Sequence, residues 1–275
     1  MKFYKFNSNE AEISEISKED FVKIYSDDYF LKKTGEGIVP NLSRNSKRVE
    51  CQIESILYNG IDNAFDLKKV LAWKIGKIKH RCSEDSIKTG GSIVYAKDWE
   101  DADSLAVSRY GKAFDINVLY RKIAEEISAH KDGVREDTIS NEYLQKLLDE
   151  LKLHSSTGIG TVYLITLLYF ICHGKRVPIY DRFASMALSA IMGHTKPQPV
   201  SRGKTEVDYI ILPEKNSEKF STVMSNEMAA YKEEIDCIFG DEYYENRKID
   251  QALWAYGHLF QEKKHLKSNT DKDRS

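Results

Sequence analysis

The sequence predicts a mainly α protein with minor β, and three observations carry that prediction. Apolar residues recur at helical spacing through most of the chain; strand-like runs are few and short; and one helix is apolar almost all round. The 275 residues are enough to bury a sizeable core and suit one protein of two lobes.

Residues 1–6, Met-Lys-Phe-Tyr-Lys-Phe, alternate as a short edge strand does and lack the apolar centre of a signal peptide. Helical patterns then occupy residues 18–31, 47–58, 66–75 and 115–129. Between the last two, Ile93, Val94 and Tyr95 lie after a Gly-Gly turn and before a charged stretch, which predicts a strand over 92–96. Ile139, Tyr143, Leu144, Leu147, Leu148 and Leu151 repeat at helical spacing and predict a helix over 141–153. The run from Thr161 to His173 is apolar on every side, the mark of a helix inside a core, and is much shorter than the ~20 residues of a membrane span. Further helices are expected at 182–192, 217–239 and 245–261. Two stretches read as loops able to cover a pocket, 81–110 for its Gly, Ser and Asp and 195–213 for its prolines. Residues 262–275 are charged, lack apolar anchors after Leu266, and are expected to be disordered. The implied organisation is an N-terminal lobe with a loop region at 1–110, a central helical lobe at 111–215, C-terminal helices at 216–261 packing back on the N-terminal lobe, and the tail.

The chemistry-bearing stretch is Thr157-Gly158-Ile159-Gly160-Thr161, between two helical patterns and one apolar helix before Val177-Pro178-Ile179-Tyr180-Asp181. Glycine permits positive φ and close backbone approach, so the amides of Gly158, Gly160 and Thr161 can converge on one oxyanion. The amides that open the next helix add its positive end. Two helices joined by such a turn make a helix-hairpin-helix pattern, suited to a DNA phosphate. A lone Gly-x-Gly is also an ordinary interhelical turn, and the following Pro-x-x-Asp loop is what adds weight.

On these residues the chain resembles the helix-hairpin-helix DNA glycosylases that carry a Gly/Pro-rich loop and an aspartate. Gly158-Ile159-Gly160-Thr161 resembles the family's hairpin, and Pro178-Ile179-Tyr180-Asp181 its loop. The likeness is nearest to the 8-oxoguanine DNA glycosylase fold, supported by Arg247-Lys248-Ile249-Asp250-Gln251-Ala252-Leu253-Trp254-Ala255-Tyr256-Gly257-His258; it covers residues 144–188 and 247–258. It implies a two-lobed architecture, a double-stranded DNA partner carrying a modified or damaged base, and excision of that base. Asp181 would face the oxocarbenium-like sugar as the N-glycosidic bond breaks, and orient or deprotonate the attacking water. Asp181 has a plainer reading too, since an Asp ahead of Phe183, Met186, Ala187 and Leu188 is a helix N-cap, and both roles can hold at once.

Strand-cutting members of the family carry a lysine just after the hairpin, and Val162 stands there. Valine forms no Schiff base, so the expectation is a monofunctional enzyme that leaves an abasic site. Lys152 and Lys175 lie near but off that position. Relatives with an iron–sulfur cluster use four closely spaced C-terminal cysteines, whereas here Cys237 stands alone in that region. Cys51, Cys82, Cys172 and Cys237 form no C-x-x-C pair, so no metal is expected, and Cys172 and Cys237 read as buried thiols of a reducing cytoplasm. The expected cofactor set is empty, apart from room for a monovalent cation at the hairpin carbonyls.

A glycosylase must flip its target out of the duplex and stack it on aromatic or apolar side chains. Trp73, Trp254, Tyr256 and His258 are the candidates, with core packing as the alternative for each. The net charge of −2 argues against a protein that coats nucleic acid, though one basic face suffices for a few phosphates. Basic clusters occur at Lys32, Lys33, Arg44, Lys47 and Arg48; at Lys68, Lys69, Lys74, Lys77, Lys79, His80 and Arg81; and at Lys175 and Arg176, ahead of Asp181. Each also reads as a solvated helix face. A monomer without membrane contact is expected. Which base is excised, and whether for repair or for defence against modified phage DNA, is a matter of pocket shape. The alternative from another class is a helix-hairpin-helix protein that binds DNA without chemistry.

Overall fold

The computed structural model describes residues 1–7, 12–34, 37–41, 45–75, 78–79, 94–95, 116–135, 140–154, 161–175, 177–194, 198–202, 206–210, 226–245 and 247–261. Along the chain these form β1 (Phe3–Asn7), β2 (Glu12–Ile16), α1 (Lys18–Asp28), β3 (Leu31–Thr34), β4 (Gly37–Pro40), α2 (Lys47–Asn59), α3 (Ala64–Ile75), β5 (Ile78–Lys79) and β6 (Val94–Tyr95). They continue through α4 (Ile116–Arg135), α5 (Asn141–His154), α6 (Thr161–Ile171), α7 (Arg182–Met192), β7 (Gln198–Arg202), β8 (Glu206–Ile210), α8 (Asn226–Phe239), α9 (Glu242–Glu245), α10 (Arg247–Gly257) and β9 (Phe260–Gln261). The protein is mainly helical with little strand. Among the described residues no helix is long and apolar enough to cross a membrane.

The chain divides into two compact units. One comprises Met1–Tyr29, Tyr180–Glu218 and Glu233–Ser275; the other comprises Phe30–Ile179 and Lys219–Lys232. Within the second unit α3 lies against α6 and α4, and α2 against α3 and α6.

In the second unit α6 is the hub. Its residues from Leu164 to Ile171 are all buried, and α2, α3 and α5 supply the apolar surfaces that cover them. Phe170 meets Trp73 edge-on with centroids 5.9 Å apart. The Tyr143 hydroxyl donates to the Glu126 carbonyl at 2.9 Å and ties α5 to α4. Where α6 was expected to run to His173, it stops at Ile171: His173 takes φ +50° and brings Nδ1 to 3.1 Å from the Leu57 carbonyl of α2. Gly60, which ends α2 at φ +94°, leaves room for that ring, since a β-carbon there would stand 3.0 Å from His173 Cε1. The expected strand over 92–96 is present as β6, a two-residue element parallel to β5; residues 92, 93 and 96 lie outside the described set.

In the first unit α10 packs against both α1 and α7. Tyr256 is wholly buried, 5.0 Å from Phe21 and 4.9 Å from Tyr25 edge-on, and stacked on Phe6 of β1 at 5.4 Å. The expected N-terminal strand is β1; its partner β2 pairs antiparallel with Phe3 opposite Ile16. Ser17 caps α1 by accepting from the Asp20 amide at 3.0 Å. That helix ends at Asp28 and not at 31, because Leu31 enters β3 opposite Pro40. The stretch 195–213, expected as loop, holds the antiparallel pair β7 and β8, with β9 parallel to β8. Pro199 sits in β7, an edge strand, where a missing N–H is tolerated. The helix expected over 245–261 is divided into α9, α10 and β9. Cys172 is buried as expected, but Cys237 is exposed, as is Cys51. The tail 262–275 lies outside the described residues.

Helix α10 approaches α7 backbone to backbone. A β-carbon on Gly257 would stand 1.9 Å from the Phe183 carbonyl oxygen and 2.5 Å from its carbon, neither of which can rotate away. Gly257→Ala is expected to lower unfolding free energy by about 3 kcal/mol, read as a lower urea midpoint with unchanged slope.

Candidate active site

Tyr180 is buried and Asp181 half-buried; Asp181, in extended conformation at φ −142° and ψ +140°, sits at the entrance to α7. Its Oδ1 accepts from the Phe183 amide at 2.9 Å, and its carbonyl accepts from Ser185 N at 2.9 Å. This is an N-cap: a carboxylate among the unsatisfied amides at the positive end of a helix. Aspartate followed by the apolar periodicity Phe183, Ala184, Met186, Ala187, Leu188 is the local reason the helix begins here. Burial pushes the neighbouring Tyr180 phenol up to about 12, the nearby Asp181 carboxylate adding to the effect and a hydrogen bond with Ser185 opposing it. Tyr180 therefore stays protonated at neutral pH and is no general base.

Phe183 also carries the aromatic part of the site. Its ring lies 3.5 Å from the His258 imidazole, centroid to centroid, at 31°, and that imidazole lies 3.6 Å from the Trp254 ring at 36°. Phe183 and Trp254 are themselves 6.4 Å apart, so the histidine stands between them. The Arg182 guanidinium lies 5.0 Å from the Phe183 centroid, and Tyr29 meets Trp254 edge-on at 5.2 Å. His258 Nδ1 is 2.9 Å from the Trp254 carbonyl. A carbonyl can only accept, so Nδ1 carries the hydrogen and Nε2 of the neutral ring is the acceptor nitrogen. His258 is exposed, while Phe183 and Trp254 are half-buried, so the imidazole between them meets solvent at its edge.

The four aromatic candidates separate cleanly. Trp254 and His258 lie in the stack. Trp73 is buried in the other unit, its indole N–H donating to Glu50 Oε1 at 2.8 Å, and Tyr256 is a core residue whose phenol burial holds strongly protonated. Neither presents a ring face to a ligand: both perform the packing role. Phe183, Arg182 and Tyr29 were not among the candidates, and the signal for Phe183 was its place two residues after Asp181.

Thr157, Gly158, Ile159 and Gly160 lie outside the described residues, as does Arg176. Thr161 opens α6 and is half-buried; Val162, also half-buried, lies in its first turn, where its carbonyl accepts from Thr166 Oγ1 at 3.1 Å. Lys175 is exposed just beyond α6, and Lys152 on α5 is 3.8 Å from Asp149. Lys68 and Lys69 are half-buried on α3, Lys69 over the Phe65 ring at 4.3 Å, and Lys74 is buried, so this cluster is not the continuous solvent-facing patch its composition suggests. Among the described residues no group of three or more His, Cys, Asp and Glu is placed to hold a metal ion.

No protein-family model, no curated protein and no solved structure matches this chain.

Substitutions at Asp181 separate folding from chemistry. Asp181→Ala removes the cap acceptor and is expected to cost about 1 kcal/mol in thermal or urea unfolding, while Asp181→Asn keeps an acceptor oxygen and should remain within about 0.5 kcal/mol of wild type. Equal destabilisation by both would show that the charge itself holds the helix start.

Proposed function

We propose that this protein is a monofunctional DNA N-glycosylase, with Asp181 as its catalytic residue and double-stranded DNA carrying a modified or damaged base as its substrate. The observation that carries the reading is the joint placement of Asp181 and the stack: one residue, Phe183, holds the carboxylate through its amide and packs against His258 with its ring. In the reaction, the bond between sugar C1′ and the base nitrogen breaks with its electron pair leaving on the base. Positive charge grows on the sugar. The Asp181 carboxylate stabilises that charge and orients the water whose oxygen then bonds C1′, releasing a proton. An extruded base is a flat π system, and the Phe183–His258–Trp254 cluster supplies aromatic surface one turn from Asp181 for it to pack against.

One observation favours a second reading. The hydrogen bond from the Phe183 amide accounts for Asp181 as a helix cap, which is all a DNA-binding protein without chemistry would require. A panel of duplexes with oxidised, alkylated, deaminated or hypermodified bases, scored for abasic sites by alkali cleavage, decides between them. Wild type is expected to release one class of base, and Asp181→Asn to lose release by about a thousandfold while retaining duplex affinity. No base release by wild type leaves the binding protein, and release by Asp181→Asn at the wild-type rate removes Asp181 as the catalytic residue.

Val162 makes a separate claim. With a hydrocarbon in the first turn of α6, borohydride added during turnover is expected to trap no covalent protein–DNA adduct. A trapped adduct would mean that an amine elsewhere, Lys152 or Lys175 foremost, performs strand cutting.

A further inference from the structure

We infer that Tyr180 and Ser185 form a polar clamp across the start of α7 that aims the Asp181 carboxylate, which makes Tyr180 a positioning residue. The clamp is a matter of local geometry, and its consequence for base release rests on the glycosylase reading above.

The direction in which a chain enters a helix is commonly fixed by an apolar contact between the residue before the cap and the fourth residue of the helix. Tyr180 precedes the cap Asp181, and Ser185 is the fourth residue of α7, so this pair occupies those two positions. Here the contact is polar, for a hydrogen bond joins the two side chains. Tyr180 is 7% exposed, so its ring has little freedom to swing and its hydroxyl needs a partner inside the protein. An apolar side chain would pack without that need. What the hydroxyl adds is direction, because a hydrogen bond weakens steeply as its angle drifts and an apolar contact does not.

Asp181 stands between the two clamped positions. Its backbone is extended, at φ −142° and ψ +140°, and its Oδ1 accepts from the Phe183 amide at 2.9 Å. A hydrogen bond to one oxygen lets a carboxylate pivot about it. Ser185 limits that freedom from two sides: its amide donates to the Asp181 carbonyl at 2.9 Å, and its side chain holds Tyr180. The backbone before and after Asp181 is thereby fixed, and with it the direction of the Cα–Cβ bond that carries the carboxylate. Burial pushes the Tyr180 phenol up to about 12, so the clamp keeps its proton and its charge across about pH 5 to 9.

Full-length Tyr180→Phe, Ser185→Ala and the double variant are compared with wild type by two measurements. One is hydrogen exchange at the Phe183 amide, followed by NMR; the other is single-turnover base release from the panel of modified duplexes, across about pH 5 to 9. Each single variant is expected to speed Phe183 exchange about tenfold and to slow release at saturation about tenfold, with duplex affinity and the shape of the pH profile unchanged. The double variant should be no worse than either single one, since both remove the same hydrogen bond. Ser185→Thr keeps the hydroxyl and should restore both readings. Circular dichroism melts identify a variant that fails to fold, and Ser185→Ala removes the bond without touching the buried ring. Wild-type exchange and release in both single variants would overturn the clamp, as would losses that add in the double variant. Loss of one limb of the pH profile in Tyr180→Phe would also overturn it, by making the phenol an acid in the reaction. Faster Phe183 exchange in the variants, with no base released by wild type, would sustain the clamp while removing the glycosylase reading; base release by wild type, with variants indistinguishable from it, would do the reverse.

Discussion

The candidate site depends on the close approach of α10 to the first turn of α7. Gly257 lies where no side chain fits, directly against the Phe183 carbonyl, and this lets the two helix backbones meet. Three interactions then converge on Phe183: its carbonyl faces Gly257, its amide donates to Asp181, and its ring packs on His258. A larger residue at 257 would push α10 away and take Trp254 and His258 with it. Precision at Asp181 therefore derives from packing around the next turn of the chain and not from the aspartate alone.

Helix α10 divides its faces between this site and the core. At 3.6 residues per turn, Trp254 and His258 fall almost in line, and Tyr256 falls on the far side. That far side meets Phe21 and Tyr25 of α1, and the Tyr25 hydroxyl donates to the Tyr4 carbonyl of β1 at 3.0 Å, so the N-terminal strand is tied to the same cluster. At the start of α10 the Arg247 guanidinium donates to Asp250, a buried ion pair one turn apart. Such a pair contributes little net stability but makes loss of either partner costly, which holds the helix in one register. The other unit achieves rigidity differently, by enclosing α6, buried from Leu164 to Ile171.

What could be read in the sequence follows the range of the interactions involved. The start of α7 at Arg182, the cap at Asp181, and the spans of α2 and α5 are local, set by a polar residue ahead of an apolar repeat. The strands β2, β3, β4, β7 and β8 have four or five residues each and owe their existence to a partner strand, so their alternation is too brief to stand out. Which aromatics belong to a site and which to a core was legible only in part. Trp73 and Tyr256 carry the same residue-level signal as Trp254 and His258, and burial by distant helices separates them. The Gly257 contact left a trace, a glycine inside a helical pattern, but a glycine does not reveal what presses against it.

The observed cap and the proposed catalytic role of Asp181 make compatible demands. Capping needs a short acceptor in extended conformation, aimed back at the second amide of the helix, and the distance of 2.9 Å to Phe183 N meets that need with one oxygen. A carboxylate has about four acceptor positions, so accepting the cap hydrogen bond does not consume its charge. Asparagine can cap as well, but it cannot oppose a developing positive charge with a full negative one. Under the proposed reading, the structural part of this residue can therefore be kept while the chemical part is removed, and the same logic extends to Val162: where an amine would add a second reaction, a hydrocarbon in the first turn of α6 keeps the helix start and leaves hydrolysis as the single outcome.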